Sequence, residues 1–208
     1  MSSTPTVFVV DDDPAVRDSL RLLLQSAHLP VATFASAQEF LAGYDRAAPG
    51  CLVLDVRMPG QSGLELQEEL AARGLSLPVI IITGHGDVPM AVRAMKLGAV
   101  DFIEKPYNAQ VLLERVRHAL QEDARRRQEE AERTARTARL NLLTPREREV
   151  LRLLAAGKAT KGIAALLGIS RRTVEVHRAK IMQKMQVESI AALIRIALEA
   201  GRLEEPPP

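Results

Sequence analysis

Four short apolar runs in this 208-residue chain each lead into a reactive polar residue. Thr6-Val7-Phe8-Val9-Val10 meets Asp11, Asp12 and Asp13, and Cys51-Leu52-Val53-Leu54 ends on Asp55. Val79-Ile80-Ile81-Ile82 ends on Thr83, and Phe102-Ile103-Glu104 leads into Lys105-Pro106. Clustered carboxylates repel one another unless a hard, oxygen-seeking cation neutralises them, and Mg²⁺ needs only one or two protein carboxylates with water completing its shell. A carboxylate beside such an ion can attack a phosphoryl group and become an aspartyl phosphate. The negative charge on that group calls for a cation and a hydroxyl donor, and Lys105 and Thr83 are of those types.

The elements that must position these groups follow from the same runs. Short segments rich in β-branched residues, separated by stretches of helical period, read as buried parallel strands of βα units. In open α/β sheets the functional groups gather beyond the carboxyl ends of the strands, so three carboxylates, a hydroxyl and an ammonium are expected at one sheet edge. A single Asp at a strand end is more often a helix cap, and Asp13, followed by Pro14, reads that way. Phosphatases with an Asp nucleophile want a second Asp two residues on. That position is Arg57, which speaks against an enzyme acting on an external substrate.

Residues 1–120 resemble a response-regulator receiver domain, from Val9-Val10-Asp11-Asp12-Asp13 through to Lys105-Pro106. The resemblance implies a doubly wound, parallel five-stranded (βα)₅ fold. It implies Asp55, within Leu54-Asp55-Val56-Arg57-Met58-Pro59-Gly60, as the phosphoacceptor of a sensor histidine kinase. Asp11 and Asp12 would bind Mg²⁺ together with Asp55 and the backbone carbonyl of Arg57. Thr83 would be the switch hydroxyl, Phe102 the switch aromatic and Lys105 the phosphate-pairing lysine. The stretch Ile82-Thr83-Gly84-His85-Gly86-Asp87-Val88-Pro89-Met90-Ala91-Val92 resembles the NarL/FixJ branch on its FixJ-like side. On the helix expected over 87–97, Ala91 and Met95 are read as core-facing and Val92 and Lys96 as an outward stripe. The resemblance implies that this stripe pairs two phosphorylated receivers.

Charge divides the chain. Residues 1–120 carry −4, residues 121–140 carry +1 and residues 141–208 carry +5, making the stated +2. Only the basic C-terminal part is suited to a polyanion. Asn108 can cap a helix with Leu112, Leu113, Val116 and Leu120 on its apolar face, beyond which large apolar residues vanish. Residues 121–140 read as a helical linker with Glu122/Arg126, Asp123/Arg127, Glu129/Arg133 and Glu132/Arg136 at i,i+4 spacing. A solvated spacer, a helix that helps pair two chains, and DNA contact by Arg125-Arg126-Arg127 are the alternatives for it.

Past the linker, helices are clearly punctuated. Thr144, Pro145 and Glu147 form a capping-box pattern, Gly157 ends that helix, and Gly168 ends a second near Lys161–Leu167. Ser170 caps a third helix to about Met185, and a fourth spans Ser189 to Ala200. The tight Gly168-Ile169-Ser170 turn makes a helix-turn-helix. Leu143-Thr144-Pro145-Arg146-Glu147-Arg148-Glu149-Val150-Leu151 and Ile169–Ile181 resemble a LuxR-type DNA-binding domain, placed at 141–203 and all-α with four helices. Its expected DNA contacts are Ser170, Arg171, Arg172, Thr173, Glu175, His177, Arg178 and Lys180. Thr160 stands where the family often has Asn, and it is read as a substitute helix cap.

Cys51 is the single cysteine and reads as a buried small hydrophobe in a reducing compartment. Without a signal-peptide pattern or a membrane-length apolar run, a cytoplasmic protein with no membrane partner is expected. The tail 204–208 is expected to be disordered. The reading is a two-component transcription factor, not an enzyme, that dimerises when phosphorylated and meets DNA and RNA polymerase. The alternatives are a phosphorylation-independent DNA-binding regulator and an adaptor whose C-terminal helices bind protein.

Overall fold

The computed structural model describes residues 4–84 and 86–203, with side chains as far as residue 198. His85 and the tail 204–208 lie outside the described residues. The chain forms two compact units, Met1–Gln128 and Glu129–Pro208.

In the first unit the β-branched runs become strands because both faces of the sheet are covered. The order is β1 (Thr6–Val10), α1 (Pro14–Ser26), β2 (Val31–Phe34), α2 (Ala37–Gly43), β3 (Gly50–Asp55), α3 (Gly63–Ala72), β4 (Val79–Thr83), α4 (Val88–Lys96), β5 (Asp101–Glu104) and α5 (Ala109–Asn141). All neighbouring strands run parallel, in spatial order β2-β1-β3-β4-β5. This is the doubly wound sheet expected from the sequence. Phe8, Val10, Leu52, Leu54 and Ile81 enter one core with α2 and α3, while Val7, Val9, Val53, Ile80 and Ile82 enter the other with α1 and α5. Asp13 caps α1 by accepting from Ala15 N at 2.8 Å, and Asn108 Oδ1 accepts from Gln110 N at the start of α5. Cys51 is fully buried, and burial first, with the Asp123 charge adding to it, pushes its thiol up to about 12.

Two expectations require correction. On α4 it is Met90 and Ala94, at i,i+4, that meet the core, and Gln67 Nε2 donates to the Ala94 carbonyl at 3.1 Å. Met95 is 49 % exposed and joins Val92 and Val88 on the outer stripe. The helix is turned by about 100°, one residue's worth, because the small Ala94 fits the contact with α3 where Met95 would not.

The second correction concerns Asp123, which the sequence places in a charged linker and the fold buries. Helix α5 runs unbroken through 33 residues, and its Asp123 is only 1 % exposed. The first unit therefore reaches Gln128, eight residues into the stretch read as linker. The expected Asp123/Arg127 pair is present, whereas Glu122 pairs with Arg125, and Arg126 turns to Asp123.

In the second unit, α6 (Pro145–Ala155), α7 (Thr160–Leu167), α8 (Arg171–Met185) and α9 (Ile190–Leu203) close over Val150, Ile163, Val174, Ile181 and Leu193, with Leu140 at the end of α5 packed beside them. Thr144 and Glu147 form the expected capping box, worth about 1 kcal/mol to the helix start. Glu147 is buried and also pairs with Lys184 at 2.6 Å. The left-handed Gly168 (φ 64°) ends α7, and Ser170 caps α8. No helix among the described residues is long and apolar enough to cross a membrane.

Candidate functional site

The carboxyl edge of the sheet gathers Asp11, Asp55, Thr83 and Lys105 from four successive positions across β1, β3, β4 and β5. The register carries them there, with Val10 opposite Leu54, Asp55 opposite Ile82, and Thr83 opposite Glu104. Lys105 Nζ lies 2.7 Å from Asp11 Oδ2 and 3.0 Å from Asp55 Oδ1, bridging residues far apart in sequence. The remaining oxygens are held by backbone. Asp11 Oδ1 accepts from Asp13 N at 2.9 Å, and Asp55 Oδ2 accepts from Arg57 N at 2.6 Å. Arg17 donates to the carbonyls of Asp11 and Asp12, fixing the loop after β1. The Lys105–Pro106 peptide is cis. Beneath the loop after β3, Gly63 opens α3 so close to the sheet that a Cβ there would sit 2.1 Å from the Asp55 carbonyl oxygen.

Asp11 and Asp55 are 3 % and 7 % exposed and share one ammonium, so the pocket holds an uncompensated negative charge. Burial raises the Asp55 pKa above its ordinary value; the Lys105 bond and charge oppose the shift, and the Asp11 charge adds to it. Burial works against the charged Lys105, but its bonds to Asp11 and Asp55 outweigh this and raise its pKa. Asp12 is exposed, and among the described residues no three Asp, Glu, His or Cys side chains are grouped as a metal cage. The expected convergence of Asp11, Asp12 and Asp55 is thus met only for the two buried acids. A pocket short of positive charge, with few carboxylates and open solvent on one side, suits a cation that keeps most of its waters.

Thr83 is fully buried and Phe102 partly so. The Phe102 ring lies against Gly86, where an added Cβ would approach it to 2.8 Å and Thr83 Cγ2 to 3.5 Å. The Thr83 methyl, the Phe102 ring and the loop into α4 are therefore one packed group. The outward stripe of α4 carries Val88, Val92 and Met95, 76 %, 46 % and 49 % exposed, with Lys96 also exposed.

In the second unit α8 divides the expected DNA contacts into two sets. Arg171, Arg172, Thr173 and Lys180 are exposed. Among the described residues, Arg171, Arg172 and Lys180 make no ion pair. Arg178 instead donates through NH1 to Thr160 Oγ1 at 2.8 Å and Glu175 Oε1 at 2.7 Å, and its side chain is 19 % exposed. Thr160 also donates to Glu175 at 2.9 Å. The cap position of α7 is Ala159, with no side-chain cap bond, so Thr160 is not the cap expected. Its hydroxyl braces α7 to α8. His177 is half-buried, and its Nδ1, like Arg178 Nε, is buried without a hydrogen-bond partner among the described residues. Val176 was not singled out in the sequence, yet it is 47 % exposed on the turn between Arg172 and Lys180. Its apolar type concealed it, since Val reads as core unless the helix phase is known.

Comparison with known proteins agrees over the whole chain. Residues 7–117 match the response regulator receiver domain and residues 141–197 the LuxR family of bacterial regulatory proteins. The transcriptional regulatory protein FixJ of Azorhizobium caulinodans is 50 % identical over 201 residues, covering 97 % of this chain and 95 % of the relative. The response regulator protein TodT of Pseudomonas putida is 44 % identical, covering 91 % and 84 % respectively. The solved structure of the response regulator StyR superimposes with a TM-score of 0.88 at 48 % identity, covering 95 % of this chain and all of that one.

Proposed function

The chain belongs to the response regulators that join a receiver to a LuxR-family DNA-binding domain, and on that premise we propose that Asp55 is its phosphoacceptor and α4 its dimer surface. It is a two-component transcriptional regulator. The observation that carries the assignment is the Lys105 ammonium shared by Asp11 and Asp55. The Asp55 carboxylate attacks the phosphorus of a phosphohistidine on a sensor kinase. A P–O bond forms, the P–N bond breaks, and the departing imidazole takes up a proton. Lys105 is close enough to pair with the phosphoryl oxygens, and Arg57 N holds the second carboxylate oxygen so that Oδ1 is the attacking atom. Asp11, Asp55 and the Arg57 carbonyl would hold Mg²⁺, with the exposed Asp12 at the rim of the site, and the ion when bound supplies positive charge to offset the incoming phosphoryl group.

The Thr83 hydroxyl then donates to the phosphoryl group, and Phe102 and the loop into α4 move with it, because Gly86 leaves no space between them. That repositions the Val88–Val92–Met95 stripe and Lys96, which pair with the same surface of a second chain. Two DNA-binding units brought together read a two-fold site in the cytoplasm, where RNA polymerase is a further partner. Arg171, Arg172, Thr173, Lys180 and the Ser170 turn meet DNA, with Val176 between them available to an apolar base edge such as a thymine methyl. The half-buried His177 and Arg178 support that surface, with the exposed Glu175 pairing Arg178.

Sedimentation of the full chain with and without beryllium fluoride tests this. The expected result is a shift from monomer to dimer in the micromolar range, several-fold to about a hundredfold in association constant, and its loss in Val92→Asp. A mass that does not respond to the mimic, or a Val92→Asp chain that dimerises like wild type, rejects the α4 surface.

A further inference from the structure

We infer that Asp123 and Arg127 are positioning residues that anchor α5 to the amino edge of the receiver sheet and so set where the arm to the DNA-binding unit begins. The arm is one helix, yet the chemistry along it changes abruptly. Up to Leu120 it is held by apolar burial, with Leu112, Val116 and Ala119 fully buried. Between Leu120 and Leu140 the helix has no large apolar side chain to hold it, and a polar helix without an apolar stripe has little to keep it folded onto a surface.

Asp123 supplies the hold that apolar residues do not. Its Oδ2 accepts from Gly50 N at 2.9 Å and from Arg127 Nε at 2.7 Å, and its Oδ1 accepts from Arg126 at 2.6 Å. Arg127 in turn spends both terminal nitrogens on the loop before β3, donating to Ala47 O at 3.0 Å and Ala48 O at 2.6 Å. One buried carboxylate thus connects the arm to the first N–H of β3 and, through Arg127, to two loop carbonyls. Residues 73 to 80 positions apart are joined by hydrogen bonds.

An ion pair around a buried carboxylate adds little net stability compared with apolar packing, and without Arg127 the Asp123 carboxylate keeps Arg126 and Gly50 N but loses its link to the loop carbonyls. Its value is geometric. The planar guanidinium fork accepts only one arrangement of carboxylate and carbonyls, so the helix is held at a single rotation about its axis through Gln128. The anchor lies at the start of β3, whereas Asp55 ends that strand. It therefore takes no part in phosphoryl chemistry, and the inference does not rest on the role of Asp55.

Hydrogen exchange on the full chain tests it, with Asp123→Asn and Arg127→Lys as variants. Arg127→Lys keeps the charge but lacks the fork. The expected result is exchange about tenfold or more faster at the amides of 121–128, with β1 and β3 protected as in wild type. Uptake of phosphate from a small phosphoryl donor should be unchanged in the same preparations, while the gain in DNA affinity on adding beryllium fluoride falls several-fold. Selective loss of protection at 121–128 in either variant supports the anchor. Unchanged protection in both, or uniform loss across the whole receiver in both, overturns it. Should the chain prove not to be controlled through Asp55, the exchange result would stand unaffected.

Discussion

Asp55→Asn is expected to abolish phosphate uptake from a small phosphoryl donor, by about a thousandfold or more, since the amide offers no nucleophilic oxygen. The same substitution should raise the melting temperature of the receiver by a few degrees at neutral pH. The sign follows from burial. The Asp55 pKa is raised in the folded chain, so the native state binds the proton more tightly than the unfolded state. Its ionised form costs stability above the folded pKa, and that cost disappears as pH falls below the unfolded value. Asn removes it at every pH. Intact labelling of the Asn variant would remove Asp55 as acceptor, and a lower melting temperature would contradict the uncompensated charge of the pocket.

Arg172→Ala and Arg178→Ala should both weaken DNA binding, but for different reasons that salt separates. Arg172 is exposed, and its loss should cost about tenfold in affinity and lower the salt slope by about 1, the signature of one phosphate contact. Arg178 is already engaged by Thr160 and Glu175. Its loss should lower the melting temperature of the DNA-binding unit and weaken binding with the salt slope unchanged. Anisotropy titrations on a target promoter fragment from low to moderate salt, beside thermal melts, make the comparison. A slope reduced equally by both would mean that Arg178 leaves its brace to reach phosphate.

Much of this was legible in the residues. Strands β1, β3 and β4 are buried on both faces, so their β-branched runs stand out; β3 and β4 end on Asp55 and Thr83, and β1 leads directly into Asp11. Strand β2 gave less signal, because the edge strand Val31–Phe34 is only half-buried along its length. The caps at Asp13, Ser170 and Thr144 follow local rules of hydrogen bonding and were readable. What escaped was set by tertiary packing. The phase of α4 depended on the room beside α3, which favours Ala94 over Met95. Thr160 looked like a cap until α8 placed Glu175 and Arg178 opposite it. Asp123 sat in a charge-rich stretch and resembled its solvated neighbours, and only the fold shows Gly50 N beneath it.

Gly63 carries no functional group, yet its place under the Asp55 carbonyl has a genetic consequence. A screen for signal-blind alleles should recover substitutions there alongside those at Asp55 and Lys105. Even alanine would push α3 away from the strand that presents the acceptor, with backbone on the other side of the contact and no flexible side chain to yield. Such alleles would look like lesions in phosphoryl chemistry while leaving every reacting group in the sequence intact. Suppressors should then arise in the residues that seat α3, not in the acidic pocket.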